Sequence, residues 1–237
     1  MKLICVDSGS SGNAYLLEDS KGKIIILDCG MPYRRIEKAA GFRTSDIEFA
    51  LVTHAHQDHS SGINQLFKNG IEVFTNREVA QAYNLHPWLA ERKSAMLCGW
   101  KVTPFMVPHT DTDGTPVQNY AFLIEHEKQR FLYMTDWMYC PYNLERFNIN
   151  HFLIAVNYTD LEGERKSKVQ HVLQGHSSLE TAKEFLKTSM SSYCESIIAC
   201  HLSAKNADEE QILLELKELA PEHVNVAIAK KGAIINL

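Results

Sequence analysis

Residues 52–62 read Val52-Thr53-His54-Ala55-His56-Gln57-Asp58-His59-Ser60-Ser61-Gly62, and three histidines and one aspartate fall within six consecutive positions. The run Phe49-Ala50-Leu51-Val52 ahead of them is short and apolar, the pattern of a buried strand. Ile63, Leu66 and Phe67 behind them recur at helical spacing. The motif therefore occupies a strand-to-helix loop, where side chains can converge. Imidazole nitrogens and carboxylate oxygens are donors that zinc, manganese and iron accept. His54 and His56 alternate, so they can point the same way in an extended segment. Asp58 and His59 then face a neighbouring point. Two metal positions a few ångströms apart follow, an arrangement that serves hydrolysis.

Each position needs further donors, and strand ends supply them. The strand predicted over Trp100–Val107, interrupted in its apolar pattern, delivers Pro108-His109, and His109 is the third donor for the first metal. Asp111 and Asp113, beside Gly114 and Pro116, read as turn residues. Tyr120–Ile124 and Arg130–Met134 read as a hairpin around a polar turn, Glu125–Gln129, which leaves His126 solvated. Asp136 leaves the second of these strands and can bridge the two ions. The strand Ser196–Cys200 delivers His201, the remaining donor for the second metal.

Other segments support this frame. Lys2–Val6, Ala14–Leu17 and Lys23–Leu27 read as strands. The loop Ser8-Gly9-Ser10-Ser11-Gly12-Asn13, taken alone, reads as a plain hairpin turn. Asp28 either buttresses the metal loop or caps a helix over Tyr33–Ala40. Thr75 or Asn76 caps another helix. The segment from 84 to 100 shows no clear period, and its His86-Pro87-Trp88 places His86 as a surface or packing residue. His151–Val156 is a further strand. Gln174-Gly175-His176 precedes a helix over Leu179–Lys187, capped by Ser177 or Ser178, with Glu180 completing a capping box if Ser177 is the cap. His176 lies near that helix N-terminus, where anions are favoured. Arg165, Lys166 and Lys168 form the basic cluster best suited to a phosphate backbone. Ala207–Leu219 is a helix with an Ile212, Leu213, Leu216, Leu219 stripe, and Val224–Ala229 and Gly232–Leu237 are strands.

The 237 residues include 45% hydrophobic and 22% charged positions, ordinary for a globular protein. A formal net charge of −5 argues against a broadly basic nucleic-acid coat. It leaves room for a nuclease, since metal ions supply positive charge where phosphate sits. No apolar run approaches the roughly 20 residues of a membrane span. The segment Met1-Lys2-Leu3-Ile4-Cys5-Val6-Asp7 meets an acidic residue too soon for a signal peptide. Six scattered cysteines without a Cys-x-x-Cys pair read as reduced thiols. A cytoplasmic protein is expected, with residues 1–237 forming a single domain.

His54-x-His56-x-Asp58-His59, then His109, Asp136 and His201 in that order, resemble the metallo-β-lactamase superfamily pattern. The resemblance implies an α/β fold, a four-layer αββα sandwich with a dinuclear site at one edge. It assigns His54, His56 and His109 to the first metal, Asp58, His59 and His201 to the second, and Asp136 to both. The Ser8–Asn13 loop, Asp28-Cys29-Gly30 and Gly175-His176-Ser177-Ser178 look like a small bacterial and phage branch that includes 5′-to-3′ exonucleases on double-stranded DNA. The cofactors implied are two divalent ions, zinc or manganese, with iron also suited to these donors. The activity implied is hydrolysis of a phosphodiester, with nucleic acid as partner, a water held between the ions as nucleophile, and Asp58 and His176 as catalytic residues. An acyl hydrolase cleaving a thioester, lactone or lactam is the alternative. A non-hydrolytic metal-binding or redox protein is a third reading, disfavoured because all seven donor positions are filled.

Overall fold

A computed structural model describes residues 1–86, 88–159 and 175–237 of the chain. Arg165, Lys166, Lys168 and Pro87 lie outside the described residues, so the basic cluster is not placed. Among the described residues, thirteen strands are distributed over two mixed sheets. The first runs in the order β13 (Ile234–Asn236), β1 (Lys2–Asp7), β2 (Ala14–Glu18), β3 (Ile24–Leu27), β4 (Ile47–Val52), β5 (Glu72–Thr75). The second runs β12 (Asn225–Ile228), β11 (Ser196–Cys200), β10 (His151–Ala155), β9 (Gln129–Met134), β8 (Asn119–His126), β7 (Trp100–Val107), β6 (Ala95–Leu97).

Strand residues divide by parity. Leu3, Cys5, Tyr15, Leu17, Ile25, Leu27, Phe49 and Leu51 face the second sheet and join the larger core. Ile4, Leu16, Ile24, Ile26, Ala50 and Val52 face the other way. There they pack on Ile36 of α1 (Tyr33–Ala39), Ile63 and Leu66 of α3 (Ile63–Lys68), and Val79 and Ala80 of α4 (Arg77–Tyr83). Both faces are covered, so these strands read as unbroken apolar runs rather than as alternation. The second sheet is covered on its far side by α5 (Leu179–Ser189) and α6 (Glu209–Leu219), through Leu179, Ala182, Phe185, Ile212 and Leu216. The layer order is helices, sheet, sheet, helices, as the αββα expectation requires.

Local readings that fail have physical causes. β6 escaped the sequence reading because it spans only three residues and is half-exposed. The apolar interruption of β7 is Pro104, which sits beyond the Ala95↔Val102 limit of pairing with β6. Its missing N–H therefore breaks no ladder bond there. The β8–β9 turn is shorter than expected. Glu127 and Lys128 alone form it, with φ of 49° and 69°, a left-handed turn reached without glycine or asparagine. His126 is consequently not solvated. Its ring stacks on Trp100 at 3.9 Å, and Nε2 lies 3.0 Å from the Asp19 carboxylate. Ser178 caps α5 by accepting from Thr181 N, so the capping box from Ser177 does not form. Asn76 caps α4, and His86 is exposed.

Candidate metal centre

Strands that end at one rim create the site. β4 stops at Val52, β7 at Val107, β9 at Met134 and β11 at Cys200. His54, His109, Asp136 and His201 follow within two residues of those ends. A short helix, α2 (Gln57–Ser60), carries Asp58 and His59. Two of the donors turn back over their strand through left-handed backbone, with φ of 47° at Asp136 and 52° at His201. Asp28, at the end of β3, does the same with φ of 55°. Aspartate and histidine enter this region more readily than most residues, and each such residue stores of order 1–3 kcal/mol.

The donors gather in two groups that share one residue. His54, His56, His109 and Asp136 offer ligand atoms all within 4.8 Å of one another, and so do Asp58, His59, Asp136 and His201. Asp136 Oδ2 lies 2.9 Å from His59 Nε2 and 3.5 Å from His54 Nε2. Its Oδ1 lies 3.5 Å from His201 Nε2 and 4.0 Å from His176 Nε2. Asp58 Oδ2 lies 3.4 Å from His59 Nε2 and 3.5 Å from His201 Nε2. His109 Nε2 approaches His56 Nδ1 at 3.2 Å. His176 stands at the rim of this centre, its ring centroid 5.6 Å from that of His109.

Surrounding groups fix the rings. Asp28 accepts from His59 Nδ1 at 2.7 Å, from Thr53 N at 2.8 Å and from the hydroxyls of Thr53 and Tyr133. It is thus the buttress of the metal loop, and Pro32 rather than Asp28 precedes α1. Thr53 Oγ1, 3.0 Å from His54 Nδ1, donates to Asp28 and accepts from the imidazole. His109 Nδ1 donates to the Gly175 carbonyl at 2.6 Å. Each of these bonds leaves Nε2 aimed into the centre, the ordering role that outer partners play around metal-binding histidines.

Charge follows the same geometry. Burial works against a charged Asp136, but His201 and His59 outweigh it and hold the carboxyl well below the usual range. Asp58 is held low in the same way by His201 and His59. Burial disfavours an imidazolium at His59, yet Asp28 and Asp136 together raise it well above the ordinary histidine value. Burial pushes His54 well down, and His109 down to about 4.

The donor set fits divalent metal. Among the described residues, Nε2 of His54, of His56 and of His201 is buried and makes no hydrogen bond. A buried polar atom left so costs roughly 1–3 kcal/mol. The Nε2 atoms of His54 and His201 lie 3.5 Å from carboxylate oxygens of Asp136 and Asp58, while His56 turns Nδ1 toward His109, and together these are the nitrogen and oxygen donors that zinc, manganese and iron accept. Another group, Asp19, His126 and Glu127, also has ligand atoms within 4.8 Å. There the polar atoms already bond to one another and to Ser20.

Several supporting contacts were not foreseen from the sequence. The Ser8–Asn13 loop is more than a hairpin turn. Ser8 Oγ accepts from His201 N, Asn13 N donates to the Asp58 carbonyl, and Asn13 Nδ2 lies 3.1 Å from His59 Nε2. Asn157 Nδ2 lies 3.0 Å from His201 Nδ1. Close backbone approach explains two glycines. A β-carbon on Gly30 would meet the Asp58 carbonyl oxygen at 1.6 Å, and one on Gly12 would meet the Gly30 carbonyl oxygen at 2.4 Å. The glycine-rich composition of the loop was the signal for such packing.

The two helix-covered mixed sheets have the metallo-β-lactamase type of fold. Residues 7–97 match the model of the Metallo-beta-lactamase superfamily. The chain is similar to the exodeoxyribonuclease WalJ of Streptococcus pneumoniae, 27% identical over 227 residues, covering 86% of this chain and 82% of the relative. It is also similar to ribonuclease Z of Bradyrhizobium diazoefficiens, 42% identical over 64 residues, which are 26% of this chain and 21% of that one. The metallo-beta-lactamase fold protein YhfI from Bacillus subtilis superposes with a TM-score of 0.72 at 16% identity, covering 99% of this chain and 98% of that one. No helix among the described residues is long and apolar enough to cross a membrane.

Proposed function

We propose that residues 1–237 form one catalytic unit, a dinuclear metal-dependent phosphodiesterase that acts on nucleic acid, with exonucleolytic attack on DNA as its principal activity. The observation that carries this reading is the pair of donor groups sharing Asp136. His54, His56 and His109 would hold the first ion and Asp58, His59 and His201 the second, with Asp136 available to both groups. Zinc and manganese are the ions best suited, with iron accepted by the same donors. When bound, such ions bring the pKa of coordinated water towards about 7 and offset charge developing on the scissile group. The likeness to an exodeoxyribonuclease over most of the chain supports a DNA substrate. Six cysteines with no disulfide among the described residues fit a reducing, cytoplasmic setting.

The chain's own residues divide the remaining work. Asp28, Thr53 and the Gly175 carbonyl orient imidazoles, and Asp58 is held ionised by its histidine neighbours. Asp58, ionised beside His59 and His201, would accept a proton from the attacking water if one of its oxygens stays free. His176, 22% exposed in its side chain and 4.0 Å from Asp136, would protonate the leaving oxygen. His176→Ala is expected to keep full metal content while losing about 10²-fold or more in turnover, the usual scale of general acid catalysis. Unchanged turnover would remove His176 from the mechanism.

The deciding assay gives protein loaded with manganese or zinc 5′-phosphorylated duplex DNA, single-stranded DNA and RNA, with Asp58→Ala as control. Metal-dependent nucleotide release that disappears in the variant supports the reading and names the polymer. Two bound metals with no cleavage of any polymer would sink it and point to a small phosphodiester or an acyl substrate.

A further inference from the structure

Away from the metal centre, the face of β7 that carries Lys101, Thr103 and Phe105 borders a cavity of about 340 Å³. Four cationic side chains line it, Arg92, Lys101, Arg130 and Arg146, against one carboxylate, Glu125. Glu125 is already shared. Lys101 Nζ lies 2.8 Å from it and Arg130 Nε 3.6 Å. Arg92 and Arg146 have no carboxylate partner among the described residues. Their guanidinium groups rest on aromatic rings instead, 6.0 Å from the Tyr142 centroid and 4.9 Å from that of Phe147. Converging like charges are mutually repulsive, and here they gather in a chain whose net charge is −5. An anion at this place would relieve that repulsion.

A second opening lies between this cavity and the metal centre. A larger groove of about 710 Å³ starts at His109 and passes Pro108, Met138 and Pro141 to Tyr142. Tyr142 makes the two neighbours, since its ring lies 5.3 Å from that of Phe105 in the cavity. The two carboxylates along this groove are engaged, Glu91 by the Tyr142 hydroxyl and Glu78 by Gln118 N. From His109 back to Lys101 the chain covers about 26 Å at strand rise. Cations at a distance, aromatic rings between and a reactive centre at the other end are the parts of a single-strand channel.

We propose that the arginine cavity binds a phosphate of the nucleic-acid strand whose end is held at the metal centre, with the intervening nucleotides lying along the Tyr142 groove. This rests on the phosphodiesterase reading and adds a second anchor to it. Strand length, rather than the scissile bond alone, then sets affinity.

The test measures fluorescence anisotropy of a labelled single strand of about 20 nucleotides, longer than the roughly 4–16 that such sites cover. Protein carrying Asp58→Ala prevents turnover, and salt is varied. Adding Arg92→Gln and Arg146→Gln together should weaken binding about tenfold and flatten the log–log salt dependence by roughly 1.4, about 0.7 for each lost phosphate contact. Either change alone should give about half that slope change, which keeps the test open if the double variant folds poorly. In the otherwise native chain the same arginine changes should leave hydrolysis of bis(p-nitrophenyl) phosphate intact. Unchanged affinity and slope would overturn the proposal. So would a mononucleotide or inorganic phosphate that competes as well as the strand, because the cavity would then serve a free anion. If the native chain hydrolyses no phosphodiester while the arginine variants still lose the strand, the catalytic reading fails and the strand path stands.

Discussion

Asp28 accepts hydrogen bonds from His59, from the amide and hydroxyl of Thr53 and from Tyr133, and it does so from a left-handed backbone. Asparagine adopts that backbone readily and alanine does not. Asp28→Asn should therefore keep the turn while losing the charge. Asp28→Ala should lose both and strand several buried donors, each worth about 1–3 kcal/mol. Urea denaturation is expected to rank native, Asn, Ala in falling stability, and chelator competition to show metal affinity reduced about 10–100-fold in both variants. Equal metal affinity in all three proteins would rule out a buttressing role. At this scale the sequence was legible where chemistry is rare. Histidines at strand exits stand out, and the residues that gather in the two groups were named from them. Asn13, Asn157 and Tyr133 stay hidden because such residues are common, and only folding brings Tyr133 to Asp28 across 105 positions. His126 misled for the opposite reason, since a polar residue near a turn reads as solvated unless Trp100 is known to cover it.

Helix α4 shows how an element can do more than its own capping requires. Asn76 accepts from Val79 N as its N-cap, while its amide donates to the Thr53 and Gln118 carbonyls. One side chain thus starts a helix and ties down the exit of β4 beside His54. Loss of a cap alone costs about 1 kcal/mol. Asn76→Ala should cost clearly more than that in urea unfolding, because two buried carbonyls lose their donor as well. A loss no larger than a simple cap would refute the tie. The cap was legible from Asn76 and the periodicity behind it. Its second duty was not, because the carbonyls it meets belong to other elements. Strand β6 was illegible for a different reason, being too short and too exposed to carry a pattern.

Across the whole molecule, the end opposite the metal rim is held by charge. Glu18 pairs with Lys2 at 3.1 Å and Arg43 at 2.6 Å, joining β1, β2 and the segment that leads into β4. Burial opposes its charge, but Arg43 and Lys2 outweigh burial and lower its pKa below the ordinary carboxylate value. A lowered folded pKa contributes stability above the unfolded value, about 4.3 for glutamate, and loses it as pH falls through the folded one. Glu18→Gln should accordingly lower Tm at neutral pH, with the difference from the native chain shrinking in acid. A difference that stays constant with pH would exclude the ion pairs as its source. The architecture itself was largely legible, because strands covered on both faces give continuous apolar runs. Which residue faces which core was not legible, since such runs carry no alternation.

The donor groups divide between the two halves of the sandwich. His54, His56, Asp58 and His59 leave the first sheet, while His109, Asp136 and His201 leave the second. Neither half can swing away at this rim without dismantling both groups together. Peeling one sheet from the other here would therefore break both donor sets at once. With ions held by both groups, the two sheets would be clamped to each other at this rim.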